Sequence, residues 1–146
     1  MSPNYSQEIK INQFVGVVLV RKDGQVLVQL RDDNPKINAP NTISVTGGRR
    51  ELEDLDLKNA GARELFEETG YIADLNDLKI LTSDNYYHED GRMIERIIFW
   101  APYDEVQEIN CYEGQRMFWV SVEEFNELKI YNGHKAFFEQ AAKMVR

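Results

Sequence analysis

The chain has 146 residues, of which 42% are hydrophobic and 29% are charged, and its formal net charge is −8 at pH 7. This size and composition predict a single domain over residues 1–146 that removes about two-thirds of its unfolded surface from water. The acidic balance argues against a nucleic-acid partner, and the lack of a long apolar run or signal peptide predicts a cytoplasmic protein with no membrane association.

A β-hairpin is predicted at the beginning of the chain. Residues 9–20 are nearly continuous in apolar and β-branched side chains, which is typical of a strand covered on both faces. A Lys-Asp-Gly-Gln turn leads to a second strand over residues 26–30. Residues 31–41 are rich in Asp, Asn and Pro and predict a surface loop. A short strand over residues 42–45 then reaches the Gly47-Gly48 pair.

A helix is predicted to end at Gly70. Residues 60–68 are mostly strong helix formers, Asp54 or Asp56 can cap the N-terminus, and Gly70 stands where a left-handed residue would end the helix. The face expected to be buried comprises Ala62, Leu65, Phe66 and Thr69.

Three carboxylates share the other face of this helix. Glu64, Glu67 and Glu68 recur at i, i+3 and i+4, which places them within an arc of roughly 100°. Like charges at this spacing repel one another. A hard divalent cation such as Mg²⁺, which prefers oxygen ligands, would offset that repulsion. The alternative is an acidic face that is merely solvated.

The remainder of the chain predicts more sheet and two more helices. Two strands, residues 78–87 and 92–103, flank a short turn, and residues 117–120 predict another strand. Ser121-Val122-Glu123-Glu124 carries the capping-box pattern that opens a helix. A last helix is predicted from about residue 133 to 145, with a buried stripe of Ala136, Phe137, Gln140, Ala141 and Met144. These elements predict an α/β fold with a mixed central β-sheet between two helical layers, an α/β/α sandwich.

The cysteine and the histidines are assigned no chemistry. Cys111 is the single cysteine, so an internal disulfide is excluded and a buried, inert thiol is expected. His88 and His134 stand apart from other metal-ligand types, and we expect both at the surface.

The segment from Gly48 to Tyr71 resembles the Nudix box: a glycine, five residues, a glutamate, seven residues, then Arg-Glu-apolar-x-Glu-Glu-x-Gly-apolar. Arg63 to Tyr71 matches the second half at every defined position when Tyr71 counts as apolar. The first half departs from the pattern, because Asp54 replaces the glutamate and eight residues separate it from Arg63. We interpret this as a one-residue insertion before the helix, in a box that spans about residues 47–71.

The resemblance implies the Nudix fold of the single-domain, MutT-like nucleotide hydrolases and a requirement for Mg²⁺, with Mn²⁺ as the alternative ion. It implies metal ligation by Glu64, Glu67, Glu68 and the carbonyl of Gly47. Arg63 would hold a neighbouring carboxylate through a charge-assisted hydrogen bond. Arg63, Glu64 and Glu67 are therefore catalytic candidates, since a glutamate of the box or an acid on a later loop is the general base in this family.

Glu113 is the candidate for the later acid. It lies in a polar segment, residues 110–115, just before the strand MFWV, and loops between sheet elements often carry catalytic groups. The segment EGQRMFWVSVEEF is also similar to the C-terminal part of several Nudix nucleotide hydrolases. An exposed turn acid without a role is the alternative.

The same resemblance implies hydrolysis of a nucleoside diphosphate linked to another group. We expect a small nucleotide substrate, a nucleoside or deoxynucleoside triphosphate cleaved to monophosphate and pyrophosphate, because the domain is short. ADP-ribose or a nucleotide sugar is the enzymatic alternative, and a module that senses a nucleotide without cleaving it is the non-enzymatic one. Substrate-binding residues stay unassigned, and a homodimer is a candidate assembly because many relatives form dimers.

Overall fold

The computed structural model describes residues 12–88 and 90–145. Within these residues the strands are β1 (Gln13–Val20), β2 (Val26–Leu30), β3 (Ile43–Ser44), β4 (Thr46–Arg49), β5 (Lys79–Tyr87), β6 (Met93–Pro102) and β7 (Arg116–Val120). The α-helices are α1 (Leu57–Thr69) and α2 (His134–Ala142), and 3-10 helices cover Leu75–Asp77, Val122–Glu127 and Lys143–Val145. None of these described helices is long and apolar enough to cross a membrane. The part of the first predicted strand before residue 12 lies outside the described residues.

β1 lies at the centre of a mixed sheet. It runs parallel to β6 along its whole length, and β5 pairs with the far edge of β6. The other edge of β1 is divided, because residues 14–17 pair with β4 whereas Val20 pairs with Val26 of β2. β2 also pairs with β3 and β7. The sheet therefore branches along one edge of β1, where β4 and β2 diverge.

The side chains of β1 alternate between two cores. The odd-numbered residues from Val15 to Leu19 pack on the α1 side with Ala60 and Leu65. Val18 and Val20 pack on the α2 side. Successive residues of a strand point to opposite faces, so a strand between two helical layers has to be apolar on both. The predicted α/β/α sandwich with a mixed sheet is confirmed.

Several local predictions need correction. Residues 122–127 form a 3-10 helix, although Glu124 accepts from the Ser121 backbone N–H at 3.4 Å, as a capping box requires. The Gly47-Gly48 pair lies within β4. Phe66, expected in the buried face of α1, is 52% exposed. The last helix is rotated relative to the prediction, and its buried residues are His134, Phe137, Phe138, Ala141 and Ala142.

Candidate active site on helix α1

The ends of α1 are set by local chemistry. Asp56 is the N-cap, and its side chain accepts from the Asn59 backbone N–H at 2.8 Å. Gly70 ends the helix with φ = 79°, and its N–H donates to the Phe66 carbonyl at 2.8 Å. Of the two predicted capping residues, Asp56 takes that role, so Asp54 is available for another.

Arg63 draws the acidic groups of α1 and its entry loop together. Its Nε and Nη2 donate to the two carboxylate oxygens of Asp54 at 2.8 and 3.0 Å. Its Nη1 donates to Glu64 at 2.9 Å and to Glu67 at 2.8 Å. These contacts with Arg63 lower the pKa of Asp54. One guanidinium thus contacts three carboxylates and offsets only part of their charge, and Asp54 anchors the altered first half of the box to the helix.

The two glycines of β4 allow close packing, Gly47 against β1 and Gly48 against α1. A Cβ at Gly47 would lie 2.4 Å from the Val15 carbonyl oxygen, so the pairing of β4 with β1 requires glycine there. A Cβ at Gly48 would lie 2.4 Å from Oε2 of Glu64. The Glu64 carboxylate therefore rests directly on the backbone of β4, and burial raises its pKa.

Glu68 is the most deeply buried of the three helix glutamates. It is 2% exposed, and neither of its carboxyl oxygens forms a hydrogen bond of good geometry with a described residue, although the Glu113 carboxyl group and the Gly47 backbone lie close by. Burial, and then the charges of Glu113 and Glu64, raise the pKa of Glu68 to about 10. A buried carboxyl group without a partner is energetically costly. A divalent cation would supply the missing partner, so this group fits a metal site.

The predicted metal ligands are neighbours but are not yet arranged around a point. Gly47 lies on β4, and Glu64, Glu67 and Glu68 lie on α1. Across residues 12–88 and 90–145, no three His, Cys, Asp or Glu side chains form a ready-made metal-binding group. The reason lies in the contacts of Arg63, which turn Glu64 and Glu67 towards its guanidinium.

The segment of residues 110–115 brings Glu113 to the same place. At one end, the Tyr112 N–H donates to the Glu68 carbonyl at 2.9 Å, and at the other the Gln115 N–H donates to the Leu30 carbonyl at 2.8 Å. Glu113 and Glu68 line the same cavity. The sequence-predicted loop acid is therefore close to the helix glutamates.

Cys111 was expected to be buried, and this prediction is wrong. The thiol is exposed, because residues 110–115 cross the end of α1 at the surface. Its Sγ donates to the Glu113 carbonyl at 3.3 Å, and partial desolvation of the sulfur raises the pKa of the thiol.

A cavity of about 320 Å³ extends from Glu68 and Glu113 across the branch of the sheet. It is lined by residues of β1, β2, β4, β5 and β6 and of the 31–41 loop. Its lining includes four guanidinium groups, Arg31, Arg49, Arg92 and Arg96, and the aromatic rings of Phe14, Tyr86 and Tyr131. Arginine side chains can bind phosphate groups, and aromatic rings can stack on a nucleobase.

The histidines differ from expectation. His134 is 4% exposed, and its Nδ1 accepts the Val45 N–H at 3.1 Å. Burial, helped by the charges of Arg96 and Arg31, lowers the pKa of His134 to about 3, so the imidazole is neutral. His88 is half-buried beside the cavity. A lone histidine at a helix start has no periodic signal in the sequence, which is why its burial was missed.

Arg96 and Gln29 are cavity residues that the sequence reasoning did not select. Arg96 is 5% exposed and donates to both carboxylate oxygens of Asp84, at 2.7 and 2.6 Å. Gln29 is also 5% exposed. For Gln29 the available signal was a polar residue in the otherwise apolar strand VLVQL, whereas Arg96 follows Glu95 in the strand MIERIIFWAP and had no such signal.

The fold and the site together match a known family. The family described as NUDIX domain matches residues 12–141. The chain therefore belongs to the Nudix family, and it is a hydrolase of pyrophosphate bonds. Nudix hydrolases generally use divalent metal ions.

Solved structures with the same fold include three with different printed descriptions. A MutT protein from Methanosarcina mazei is 23% identical, with a TM-score of 0.72 over 90% of this chain and 92% of that one. The NUDIX domain of Shewanella oneidensis NrtR, complexed with ADP ribose, is 17% identical, with a TM-score of 0.76 over 92% and 88%. The Escherichia coli dihydroneopterin triphosphate pyrophosphohydrolase is 17% identical, with a TM-score of 0.71 over 92% and 97%. These likenesses establish the Nudix fold. No curated protein sequence matches the chain.

Proposed function

We propose that this Nudix hydrolase is Mg²⁺-dependent and cleaves a nucleoside or deoxynucleoside triphosphate to the monophosphate and pyrophosphate. The observation that carries the proposal is the carboxyl group of Glu68, which is 2% exposed, has no partner among the described residues and lines a cavity of about 320 Å³. A carboxylate at the end of such a cavity can share a divalent cation with substrate phosphates.

The proposed metal ligands are the carboxylates of Glu64, Glu67 and Glu68 and the carbonyl of Gly47. Mg²⁺, or Mn²⁺ in its place, would neutralise phosphoryl oxygens and lower the pKa of a bound water. Arg63 keeps Glu64 and Glu67 in place through hydrogen bonds of 2.9 and 2.8 Å. It is in turn held by Asp54, and Glu64 and Glu67 would have to turn from its guanidinium to reach a shared cation.

Glu113 is the proposed general base. Hydrolysis needs a water in line with the scissile bond and a group that accepts its proton. The Glu113 side chain is exposed, and it lines the cavity next to Glu68. Its carboxylate can therefore meet a water that attacks a phosphate held at the helix glutamates. Glu64 and Glu67 are the alternative bases within the box.

The lining of the cavity supports a phosphorylated and aromatic substrate. Arg31 and Arg92 can donate hydrogen bonds to phosphate oxygens. Tyr86 and Tyr131 can stack on the nucleobase. ADP-ribose or a nucleotide sugar is the second candidate, favoured by the likeness to a NUDIX domain with bound ADP ribose.

A substrate panel separates these candidates. Purified protein would be incubated with nucleoside triphosphates, oxidised purine triphosphates, ADP-ribose and nucleotide sugars, with Mg²⁺ and with a chelator. We expect pyrophosphate release from triphosphates, only with metal, and none from a Glu67→Gln variant. Turnover of ADP-ribose alone would establish the second candidate. Saturable binding without turnover between about pH 7 and 9 would contradict the assignment as a hydrolase.

Three further expectations stay predictions. They are the single-domain organisation over residues 1–146, the cytoplasmic location and the homodimer. Light scattering on the purified protein would measure the mass of the assembly.

A further inference from the structure

Gln29 is a buried polar residue directed at the loop that carries Glu113. It is the only polar residue of β2 and is 5% exposed. Its side-chain Nε2 donates to the backbone carbonyl of Glu113 at 2.8 Å. The hydroxyl of Ser44, on the neighbouring β3, donates to Oε1 of Gln29 at 3.5 Å. The side-chain amide of Gln29 therefore contacts β3 through its oxygen and the loop through its nitrogen.

The loop packs closely on β2 at this point. Gly114 has φ = +85°, and a Cβ there would lie 2.7 Å from the Leu30 carbonyl oxygen and 2.9 Å from Nε2 of Gln29. The Gln115 N–H donates to the same Leu30 carbonyl at 2.8 Å. Glu113 thus has its carbonyl held by Gln29 on one side, while its carboxylate is next to Glu68 on the other.

We infer that Gln29 is a positioning residue, which holds the backbone of Glu113 so that its carboxylate remains beside Glu68. The inference rests on the proposed role of Glu113 as general base. A base must lie about 2.6–3.2 Å from the proton it accepts, or one water away. A misplacement of about 1 Å can cost about a hundredfold in rate. A side chain that sets the position of Glu113 therefore affects catalysis without touching the substrate.

The first test is Gln29→Met, which keeps the length of the side chain and removes the Nε2 donor. We expect kcat to fall about tenfold while KM changes less than about threefold, since the lost interaction is one needed in the transition state. Gln115→Met is the matched control. It removes a glutamine that supports the same loop from the other side, through the Arg31 carbonyl at 2.8 Å and Asn41 at 2.6 Å. Its kcat should stay within about twofold of wild type.

A double-mutant cycle shows whether Gln29 acts through Glu113. If it does, Gln29→Met adds nothing to Glu113→Gln, and the double variant has the kcat of Glu113→Gln alone. Backbone amide exchange provides a measurement without substrate or metal. We expect exchange across residues 112–114 to rise in Gln29→Met, with thermal unfolding still cooperative.

The outcomes are distinguishable. Any of four results would overturn the role of Gln29. Two concern the Gln29→Met variant alone, namely a wild-type kcat or unchanged amide exchange. The others are a loss in Gln115→Met equal to that in Gln29→Met, and losses that multiply in the double variant. A wild-type kcat in Glu113→Gln would show that Glu113 is not the general base, and the inference about Gln29 would then fail as well. An impaired Glu113→Gln beside an unimpaired Gln29→Met removes the inference alone. If no substrate turns over, the exchange measurement still decides whether Gln29 holds the loop.

Discussion

The three glutamates of α1 have three different environments. The side chain of Glu67 is 52% exposed and that of Glu64 is 14% exposed, whereas Glu68 as a residue is 2% exposed. Glu64 and Glu67 share the Arg63 guanidinium, and Glu68 has no such partner among the described residues. Substitutions at these positions should therefore affect stability differently, even if all three cost activity.

Glu68→Gln should reduce activity and stabilise the metal-free protein. Loss of the ligand charge is expected to lower kcat by about a hundredfold or more. In a chelator at neutral pH, Glu68 must take up a proton on folding because its pKa is raised to about 10, and glutamine avoids that cost, so stability should rise by about 1 kcal/mol, or roughly 2–4 °C in Tm. Thermal unfolding with and without Mg²⁺ measures both effects, because the variant should lose the stabilisation that bound metal gives the wild type. A lower Tm than wild type in chelator would contradict this account of Glu68.

Gly48→Ala and Gly47→Ala should fail in different ways. The new Cβ at residue 48 would lie 2.4 Å from the Glu64 carboxylate, a side-chain end that can move. We expect kcat to fall about tenfold or more, with a stability change below about 1 kcal/mol.

The new Cβ at residue 47 would instead lie 2.4 Å from a backbone oxygen of β1. Gly47→Ala should therefore destabilise the fold by about 1–3 kcal/mol. Chemical denaturation of both variants, beside their kinetics, makes the comparison. Equal stability of the two would show that β4 adapts to a side chain at residue 47.

At the scale of elements, the ends of α1 could be predicted from the sequence and its rotation could not. Asp56 and Gly70 act through hydrogen bonds to residues a few positions away, so composition reveals them. Which face is buried depends on the contact with β1 and β4. Phe66 is exposed and Glu68 is buried because close approach to β4 turns the helix edge that carries Glu64 and Glu68 towards the sheet.

The two aspartates before α1 provide a matched pair. Asp56→Ala removes an N-cap and should lower the free energy of unfolding while kcat stays within about twofold. Asp54→Ala removes the bidentate partner of Arg63, whose bonds measure 2.8 and 3.0 Å. We expect it to cost about 2–3 kcal/mol and about tenfold in kcat, because Arg63 then no longer holds Glu64 and Glu67. Denaturation and steady-state kinetics on both variants test this. If Asp54→Ala is as active and as stable as wild type, Asp54 has no role in holding Arg63.

At the scale of the whole molecule, the site combines segments that are distant in sequence. The helix glutamates could be predicted because one helical turn relates them. Glu113 could be proposed from its loop, but its contact with Glu68 depends on how the chain returns across the end of α1. The roles of Gln29 and His134 could not be predicted for the same reason, because their hydrogen-bond partners, Glu113 and Val45, are distant in sequence. Only tertiary packing brings these pairs together.

The buried His134 should make the stability of the protein depend on pH. Its pKa is about 3 in the folded state and 6.5 in the reference state, so the unfolded chain binds the proton more readily. Stability from this residue is complete above about pH 6.5 and is lost as pH falls towards 3. In chelator, wild type should lose about 2 kcal/mol between pH 7.5 and 5 relative to His134→Gln, which cannot titrate there. Parallel pH profiles for the two proteins would mean that the imidazole is not buried as described.

The branched edge of β1 separates two tasks that an enzyme must combine. On one side of the branch, β4 and α1 carry the residues proposed as metal ligands, Gly47, Glu64, Glu67 and Glu68. On the other side of the branch, β2 and the 31–41 loop contribute to the wall of the cavity, as do β6 and β5 beyond the opposite edge of β1. Substitutions in that wall at residues other than Gln29 leave the proposed cleavage groups and the contacts that support them in place. The architecture therefore lets selectivity diverge between descendants of one sequence while the reaction itself is inherited unchanged.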